Sequence, residues 1–335
     1  MIVLRGLGRL LIAILILLSG AWAGFAFWFQ LPLGEQAIVV AIVAWAIFVV
    51  AIALNELVRP TWRSRIVYLI AFAAVLAWWS TIRPSNDRDW AEMVEHGVTG
   101  SVSGDNVTLT NVRDFDWRSE MDFSARWDTR HYDLATLSSV DLILAYWDGP
   151  ALAHTIVSFG FDNGDHIAFS AEIRPEAHES FSAIGGFFRE FELVLIAADE
   201  RDVVRLRTNI RKEDVYLYPL AIPKAGMRAL FLSFVTLGND LAAEPRFYNT
   251  ITTNCTTVVF RLVQALDPGR LPFDWRILVS GFLPGYIFDR QPHPKDMTLD
   301  EFRSRAAISE RALAGGAALD FSSRIRAPLA PPPAN

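Results

Sequence analysis

The sequence predicts an α+β protein in which three transmembrane helices precede one large outer domain. Three spans without a charged residue, Leu10–Phe29, Gln36–Leu54 and Ile66–Ile82, follow one another near the N-terminus. Each is close to the about 17–25 residues with which a helix crosses a bilayer. After Ile82 the apolar residues form shorter runs, some with the alternation of strands and others with the periodicity of helices. Three charge-free spans in a row disfavour the alternative of buried helices in a soluble core.

A cleaved signal peptide is the other alternative for the first span. Its apolar run is too long for a signal peptide, and further apolar sequence follows the Ala-Trp-Ala site at Ala21–Ala23. We therefore expect the first span to remain as a membrane helix.

Arginine placement predicts the orientation of the helices. Arginines lie before the first span and between the second and third, whereas residues 30–35, between the first and second, include neither Lys nor Arg. The positive-inside rule then places the N-terminus in the cytoplasm and the chain after Ile82 outside. We expect a membrane anchor over residues 1–83, an outer domain over 84–326 and a disordered Ala/Pro-rich tail over 327–335.

The composition excludes several functional classes. With 20% charged and 52% hydrophobic residues among 335, the chain suits one or two folded units rather than disorder. A single Cys excludes a disulfide framework and a zinc site built on several thiolates, and no Walker or Rossmann glycine pattern is present. We therefore expect no metal and no cofactor.

The charge balance argues against a nucleic-acid partner. Residues 1–83 carry six Arg and two Glu, a charge of +4, which leaves −10 for the rest of a chain whose total is −6. A strongly acidic outer domain repels a phosphate backbone.

Strands and helices are mixed along the outer domain. Asn163-Gly164 between the apolar runs His154–Phe161 and His166–Arg174 predicts a β-hairpin. An amphipathic helix is predicted over Thr256–Leu266, ended by Asp267-Pro268-Gly269. Further strands are expected over 107–112, 141–146, 188–197 and 214–218, and further helices over 200–209, 227–243 and 299–313.

Cys255 stands at the start of that amphipathic helix, after Thr253 and Asn254, either of which can cap it. Free N–H groups and the positive end of the helix dipole favour a thiolate, which is the reactive form of Cys. A lone Cys is more often a small buried hydrophobe. An oxidising outer compartment, however, disfavours an unpaired thiol that is neither buried nor used. Cys255 is therefore the candidate nucleophile.

His154 is the candidate base for this thiol. It begins an apolar strand, so that a rigid element can aim it at a helix terminus; the alternative is a partly exposed polar residue at a strand edge. Glu172 on the next strand is the candidate third member. A two-residue loop at Asn163-Gly164 pairs His154 with Ile173, whereas a single bulge brings Glu172 opposite on the same face. Both registers remain open, and a solvent-facing carboxylate is the alternative for Glu172.

Five stretches resemble one known family. Ala153–Phe161 resembles its His-bearing strand, Ile167–Arg174 its Ser-x-Glu-x-Arg strand and Tyr248–Thr257 its Asn-Cys-Thr-Thr helix start, and Asn111–Phe115 and Val215–Leu220 also fit. The family is the Lnb N-terminal periplasmic domain, and the resemblance extends roughly from Asp105 to Pro284. The resemblance implies a permuted papain-like fold of the NlpC type, similar to the lecithin:retinol acyltransferase group, in the periplasm of a bacterium. It also implies Cys255 as nucleophile and His154 as base.

The resemblance further implies lipoprotein N-acyltransferase activity, in which an acyl chain passes from a lipid-bearing donor to an amine. We expect Cys255 to form an acyl-thioester while His154 carries the proton. Backbone N–H groups at the helix start, with Asn254 and Thr256 as candidates, would stabilise the oxyanion. The expected partners are the inner membrane and a phospholipid or lipoprotein substrate. A cysteine peptidase or amidase on cell-wall peptides, and a non-catalytic binding domain, are the alternatives.

Overall fold

The computed structural model describes residues 2–266 and 272–327, with side chains described from residue 6 onward. The expected helix end at Asp267-Pro268-Gly269 and most of the expected disordered tail lie outside these residues. The chain divides into two compact units. One comprises Met1–Ser85 with Phe181–Phe191, and the other comprises Asn86–Ser180 with Glu192–Asn335. The expected outer domain over 84–326 is thus interrupted by a segment that belongs to the first unit.

The first unit is built on three helices that are long and apolar enough to cross a membrane. They are α1 (Ile2–Gln30), α2 (Glu35–Val58) and α3 (Trp62–Thr81). Gly20 lets α1 approach α2, because a Cβ there would lie 2.5 Å from a methyl of Val49. The Trp45 indole donates to the Gly20 carbonyl at 2.9 Å and closes the same contact. Small residues at a helix crossing are typical of membrane bundles, where close van der Waals packing holds the helices together.

The second unit is a sheet of eight strands in the order β1-β2-β9-β8-β7-β6-β10, with β5 also paired to β2. All pairs are antiparallel except β2 with β9. A separate two-stranded sheet pairs β3 with β4. The bounds are β1 (Thr99–Ser103), β2 (Asn106–Arg113), β3 (Asp116–Trp117), β4 (Phe123–Ser124), β5 (Trp127–Asp133), β6 (Leu137–Asp148), β7 (Leu152–Phe161), β8 (His166–Arg174), β9 (Glu192–Ala198) and β10 (Asp214–Pro219).

Helices cover both faces of this sheet, so the α+β prediction is confirmed. Side chains alternate between the faces along β7. Phe159 packs with Phe231 and Phe234, whereas Ile156 packs with Val203 and other residues of the opposite face. The helices are α4 (Glu200–Arg205), α5 (Lys224–Ala243), α6 (Cys255–Leu266), α7 (Leu283–Phe288), α8 (Leu299–Ala306), α9 (Ser309–Gly315) and α10 (Phe321–Arg326).

Three expected elements differ from the structure. The helix expected over 200–209 is α4 followed by a π-helical turn, Leu206–Ile210. The single helix expected over 299–313 is broken into α8 and α9, because Ala307 bridges to Tyr216 and the Ile308 N–H donates to Val215 of β10. The strand expected over 188–197 begins only at Glu192. At the break between α8 and α9 a tertiary contact outweighs the local pattern, and the residues before Glu192 belong to the other compact unit.

Candidate active site

The site lies where two neighbouring strands separate. The pairing of β7 with β8 ends at Ile156 and Ser170, and the same register continued places His154 opposite Glu172. The extra residue lies in the turn rather than in a bulge. The Phe161 N–H donates to the Asp165 carbonyl, and the Gly164 N–H donates to the Phe161 carbonyl. Gly164 has a φ of +89°, which glycine adopts readily. Three residues, 162–164, therefore connect the strands, and this selects the second of the two registers that the sequence left open.

His154 is held by polar groups on β8. Its Nε2 atom lies 2.7 Å from the Ser170 hydroxyl and 2.9 Å from Oε1 of Glu172. The Ser170 hydroxyl donates to the same Glu172 oxygen at 2.7 Å, so it accepts from the imidazole. These contacts fix the ring and assign the Nε2 proton, which leaves Nδ1 for a partner on the other side.

Glu172 is a partly buried, ionised carboxylate with a second cationic neighbour. Nη2 of Arg207, from the π-helical turn, lies 3.7 Å from its Oε1, and Nη1 of Arg207 contacts Glu213 at 3.2 Å. Burial raises the pKa of Glu172, but His154, Arg207 and the Ser170 hydroxyl outweigh it and hold that pKa well below its usual range. Sequence reasoning did not find Arg207, because no local signal links it to β8.

Asn254 caps the helix that carries Cys255. Its Oδ1 accepts from the N–H groups of Thr256 at 3.0 Å and Thr257 at 2.8 Å, and its own N–H donates to the Thr257 hydroxyl at 2.9 Å. Cys255 is thereby placed in the first turn, as the sequence predicts. The Thr256 hydroxyl bonds Thr155 of β7 at 2.7 Å, which fastens the helix start to the strand that bears the histidine. The amides of Asn254 and Thr256, the expected oxyanion donors, are thus both engaged within the cap.

The half-buried Cys255 sulfur meets β7 beside the imidazole. The Thr256 hydroxyl, which is bonded to Thr155 beside His154, lies 3.9 Å from the sulfur. Burial raises the pKa of the Cys255 thiol, but the charge of the nearby His154 outweighs burial and holds that pKa below its ordinary value. Burial likewise lowers the pKa of His154, whereas Glu172, together with the sulfur, raises it to about 9. Both directions favour a thiolate–imidazolium pair near neutral pH.

Tyr248 is a further titratable group near Cys255. Burial, together with the nearby sulfur, raises the pKa of the Tyr248 hydroxyl well above its usual range. It therefore stays a protonated phenol that can donate a hydrogen bond. Sequence reasoning named Tyr248 only as part of a matching stretch and assigned it no role. His166 lies at the turn end of the hairpin, where its Nδ1 contacts the Gly164 carbonyl at 3.0 Å.

Comparison with known families returns one match. Residues 123–281 match the family model of the Lnb N-terminal periplasmic domain. The matched range includes β7, β8 and the start of α6, and therefore His154, Glu172 and Cys255. Neither the curated proteins nor the solved structures gave a match to the chain.

Proposed function

We propose that this chain is a thiol acyltransferase. It belongs to the Lnb N-terminal periplasmic domain family through residues 123–281, and with its three helices that are long and apolar enough to cross a membrane it is a membrane-anchored protein with a periplasmic domain. The observation that carries the proposal is the position of Cys255 in the first turn of α6, next to the strand that bears His154, to which the Thr256 hydroxyl fastens the helix at 2.7 Å through Thr155. A nucleophile on a helix N-terminus that packs against a histidine strand also supports a permuted papain-like fold, with His ahead of Cys in the chain. We propose that the N-terminus lies in the cytoplasm and that the membrane is a bacterial inner membrane.

The reaction begins with the thiolate of Cys255. The sulfur attacks the ester carbonyl carbon of a lipid donor, and the carbonyl oxygen becomes an oxyanion. The ester C–O bond then breaks, and the leaving alkoxide takes the proton of the His154 imidazolium. The product of this half is an acyl-thioester on Cys255 and a neutral imidazole.

An amine completes the transfer. Its nitrogen attacks the thioester carbonyl while His154 accepts one amine proton, and the C–S bond breaks to give an amide and the thiolate. Glu172 stays ionised throughout and stabilises the imidazolium through Nε2, as a positioning residue. The Tyr248 hydroxyl, which stays protonated near the sulfur, supplies a donor for the oxyanion. The anchor supports a lipid donor, because it keeps the site on a membrane-bound chain.

The test uses the full chain in a bilayer that contains phospholipid with labelled acyl chains and a lipopeptide with a free N-terminal amine. We expect the label on the lipopeptide and, by mass spectrometry, an acyl adduct on Cys255. Cys255→Ala should lose both, and the isosteric Cys255→Ser should also lose transfer, because a hydroxyl is not ionised at neutral pH. Transfer by Cys255→Ala would refute the nucleophile. An adduct that is only hydrolysed, with cleavage of added muropeptides, would instead assign the site to the peptidase alternative.

A further inference from the structure

The segment Phe181–Phe191 belongs to the compact unit of the membrane helices, although it lies between β8 and β9 of the sheet. Its Phe188 ring is enclosed by aromatic rings of α1 and α3. The ring centroids of Phe25 and Phe29 lie at 5.5 and 5.7 Å, and those of Trp22 and Trp79 at 6.3 and 6.4 Å. The segment is therefore packed on the ends of two helices that are long and apolar enough to cross a bilayer.

The position of Phe188 along α1 sets its depth. Trp22 is eight residues before Gln30, the last residue of α1, which is about 12 Å at the helical rise per residue. Contact with Trp22 therefore places the Phe188 ring beside the last turns of α1 and not beyond the end of this helix. The three-residue 3₁₀ turn Gly185–Phe187 precedes Phe188, so the chain turns at this level and returns.

Backbone carbonyls of the segment after its turn, and of the end of α3, accept hydrogen bonds from side chains. The Gln30 side chain donates to the carbonyls of Phe188 at 3.0 Å and Arg189 at 2.9 Å. The Arg189 guanidinium donates to the carbonyls of Trp79 at 2.8 Å and Ile82 at 3.2 Å, at the end of α3, and lies over the Trp79 ring. Irregular backbone at membrane depth needs partners of this kind, because lipid offers none.

The exposure pattern of the segment is inverted relative to a loop in water. Its exposed residues are all apolar, and Phe181, Ile184 and Phe187 have 58%, 52% and 43% of their surface accessible. Its polar and charged residues, Ser182, Arg189 and Glu190, are instead partly buried. A loop at a water-exposed surface normally has the opposite distribution, and several large apolar side chains exposed on one short segment mark an interaction surface.

We propose that Phe181–Phe191 is a membrane-entering loop whose exposed side chains, Phe181, Ile184 and Phe187, contact the acyl chains of one leaflet. The occupant is the bilayer, because Phe188 of the same segment packs against Phe25 and Phe29 of α1, a helix long and apolar enough to cross a membrane. The inference does not depend on the chemistry of Cys255. The loop is then a fourth membrane contact beside the three helices, and it brings the chain between β8 and β9 into contact with lipid.

The test labels single cysteines in the full chain. Because the chain has one Cys, Cys255→Ser provides a cysteine-free background, and Ile184→Cys then receives an environment-sensitive NBD fluorophore. The protein is placed in bilayer discs of phosphatidylethanolamine and phosphatidylglycerol, with or without lipids that carry a nitroxide on the acyl chain. Val40→Cys, 67% exposed and five residues into α2, is the lipid reference, and Met121→Cys, 90% exposed in the other unit, is the water reference.

We expect the label at Ile184 to have blue-shifted emission and nitroxide quenching several-fold stronger than at Met121, similar to that at Val40. Emission and quenching equal to those at Met121 would overturn the proposal, provided that Val40 is quenched. Phe187→Cys repeats the measurement at a second exposed position if the Ile184 variant does not fold. A label at Ile184 that is shifted but not quenched indicates a protein partner instead of lipid, and also overturns the proposal.

Discussion

Two clusters of buried and partly buried polar side chains lie on one side of β7 and differ in the cation that they contain. The thiol site consists of Cys255, His154, Ser170 and Glu172. The arginine cluster consists of Asp141, Ser158, Glu200 and Arg326. In both clusters a serine hydroxyl donates to a glutamate, at 2.7 Å from Ser170 to Glu172 and at 2.5 Å from Ser158 to Glu200. His154 and Ser158 are four residues apart, so the strand directs them to the same side.

The two clusters differ in the cation that pairs with the carboxylate. Arg326 donates to Glu200 at 2.6 and 2.7 Å and to Asp141 at 2.7 and 3.0 Å, and its guanidinium stays charged at every ordinary pH. The His154 imidazolium pairs with Glu172 but can release its proton. Glu172 raises the pKa of His154, and the charge of His154 in turn lowers the pKa of the Cys255 thiol. We therefore expect the permanently charged Arg326 to stabilise the fold, and the titratable His154 to control the reactivity of the Cys255 thiol. Three variants test this contrast.

His154→Gln breaks the thiol site while it keeps a polar side chain of similar size. Loss of a general acid and base costs about 10²–10⁴-fold in rate, and the thiol loses the charge that holds its pKa down. We expect acyl transfer and alkylation of Cys255 by iodoacetamide near neutral pH both to fall, when the rates are expressed per folded molecule. His166→Gln, at the other end of the same hairpin, is the matched control and should retain both rates. Equal losses in the two variants would contradict the assignment of His154.

Arg326→Ala breaks the arginine cluster and should act on stability instead of on chemistry. It leaves Asp141 and Glu200, 3% and 0% exposed, without their cation. Removing one partner of a buried ion pair typically costs about 3–5 kcal/mol. We expect a urea midpoint that is lowered accordingly. Arg324→Ala, on the same helix but in an exposed pair with Asp320, is the control and should change the midpoint little.

If the two clusters have separate roles, the folded Arg326→Ala variant should keep the reactivity of Cys255. Below the urea transition, the rate of Cys255 alkylation per folded molecule should equal that of the unchanged chain. A loss of alkylation without a loss of stability would show that the arginine cluster supports the site directly, and the distinction between the two clusters would fail.

The sequence predicted those parts of the site that depend on neighbouring residues. The cap at Asn254, the cysteine in the first turn of α6 and the strand that begins near His154 all follow from hydrogen-bonding and alternation patterns within a few positions. The three membrane helices were predicted in the same way, from continuous apolar spans. These patterns suffice because the backbone groups they satisfy lie close in sequence.

The missing parts depend on contacts between distant residues. The register of Glu172 follows from one extra turn residue, for which Asn163-Gly164 gives no signal. Arg207 reaches β8 from a π-helical turn. Phe188 looks like the start of a strand because it is apolar, yet it packs among the membrane helices. No local pattern distinguishes burial in a sheet from burial in a helical bundle, so this segment could be assigned only from the structure.

Glu172→Gln sharpens the contrast, because it removes the charge but keeps the shape of the thiol site. The active form needs a thiolate and an imidazolium, so the rate should rise with pH through the lowered pKa of Cys255 and fall again as pH passes the His154 pKa of about 9. Without Glu172, burial lowers the pKa of His154 unopposed by a carboxylate, and the alkaline limb should move to lower pH. The pH profile of acyl transfer measures this shift.

The same variant has a stability signature of defined sign. A histidine whose folded pKa is raised above its unfolded value of about 6.5 stabilises the fold fully below the unfolded pKa, and the contribution is lost as pH rises through about 9. In Glu172→Gln this loss with rising pH should disappear. Glu310→Gln, an exposed carboxylate on α9, is the control and should keep both the alkaline limb and the stability profile. An alkaline limb that stays in place in Glu172→Gln would mean that the carboxylate only packs against His154, and the thiol site would then resemble the arginine cluster.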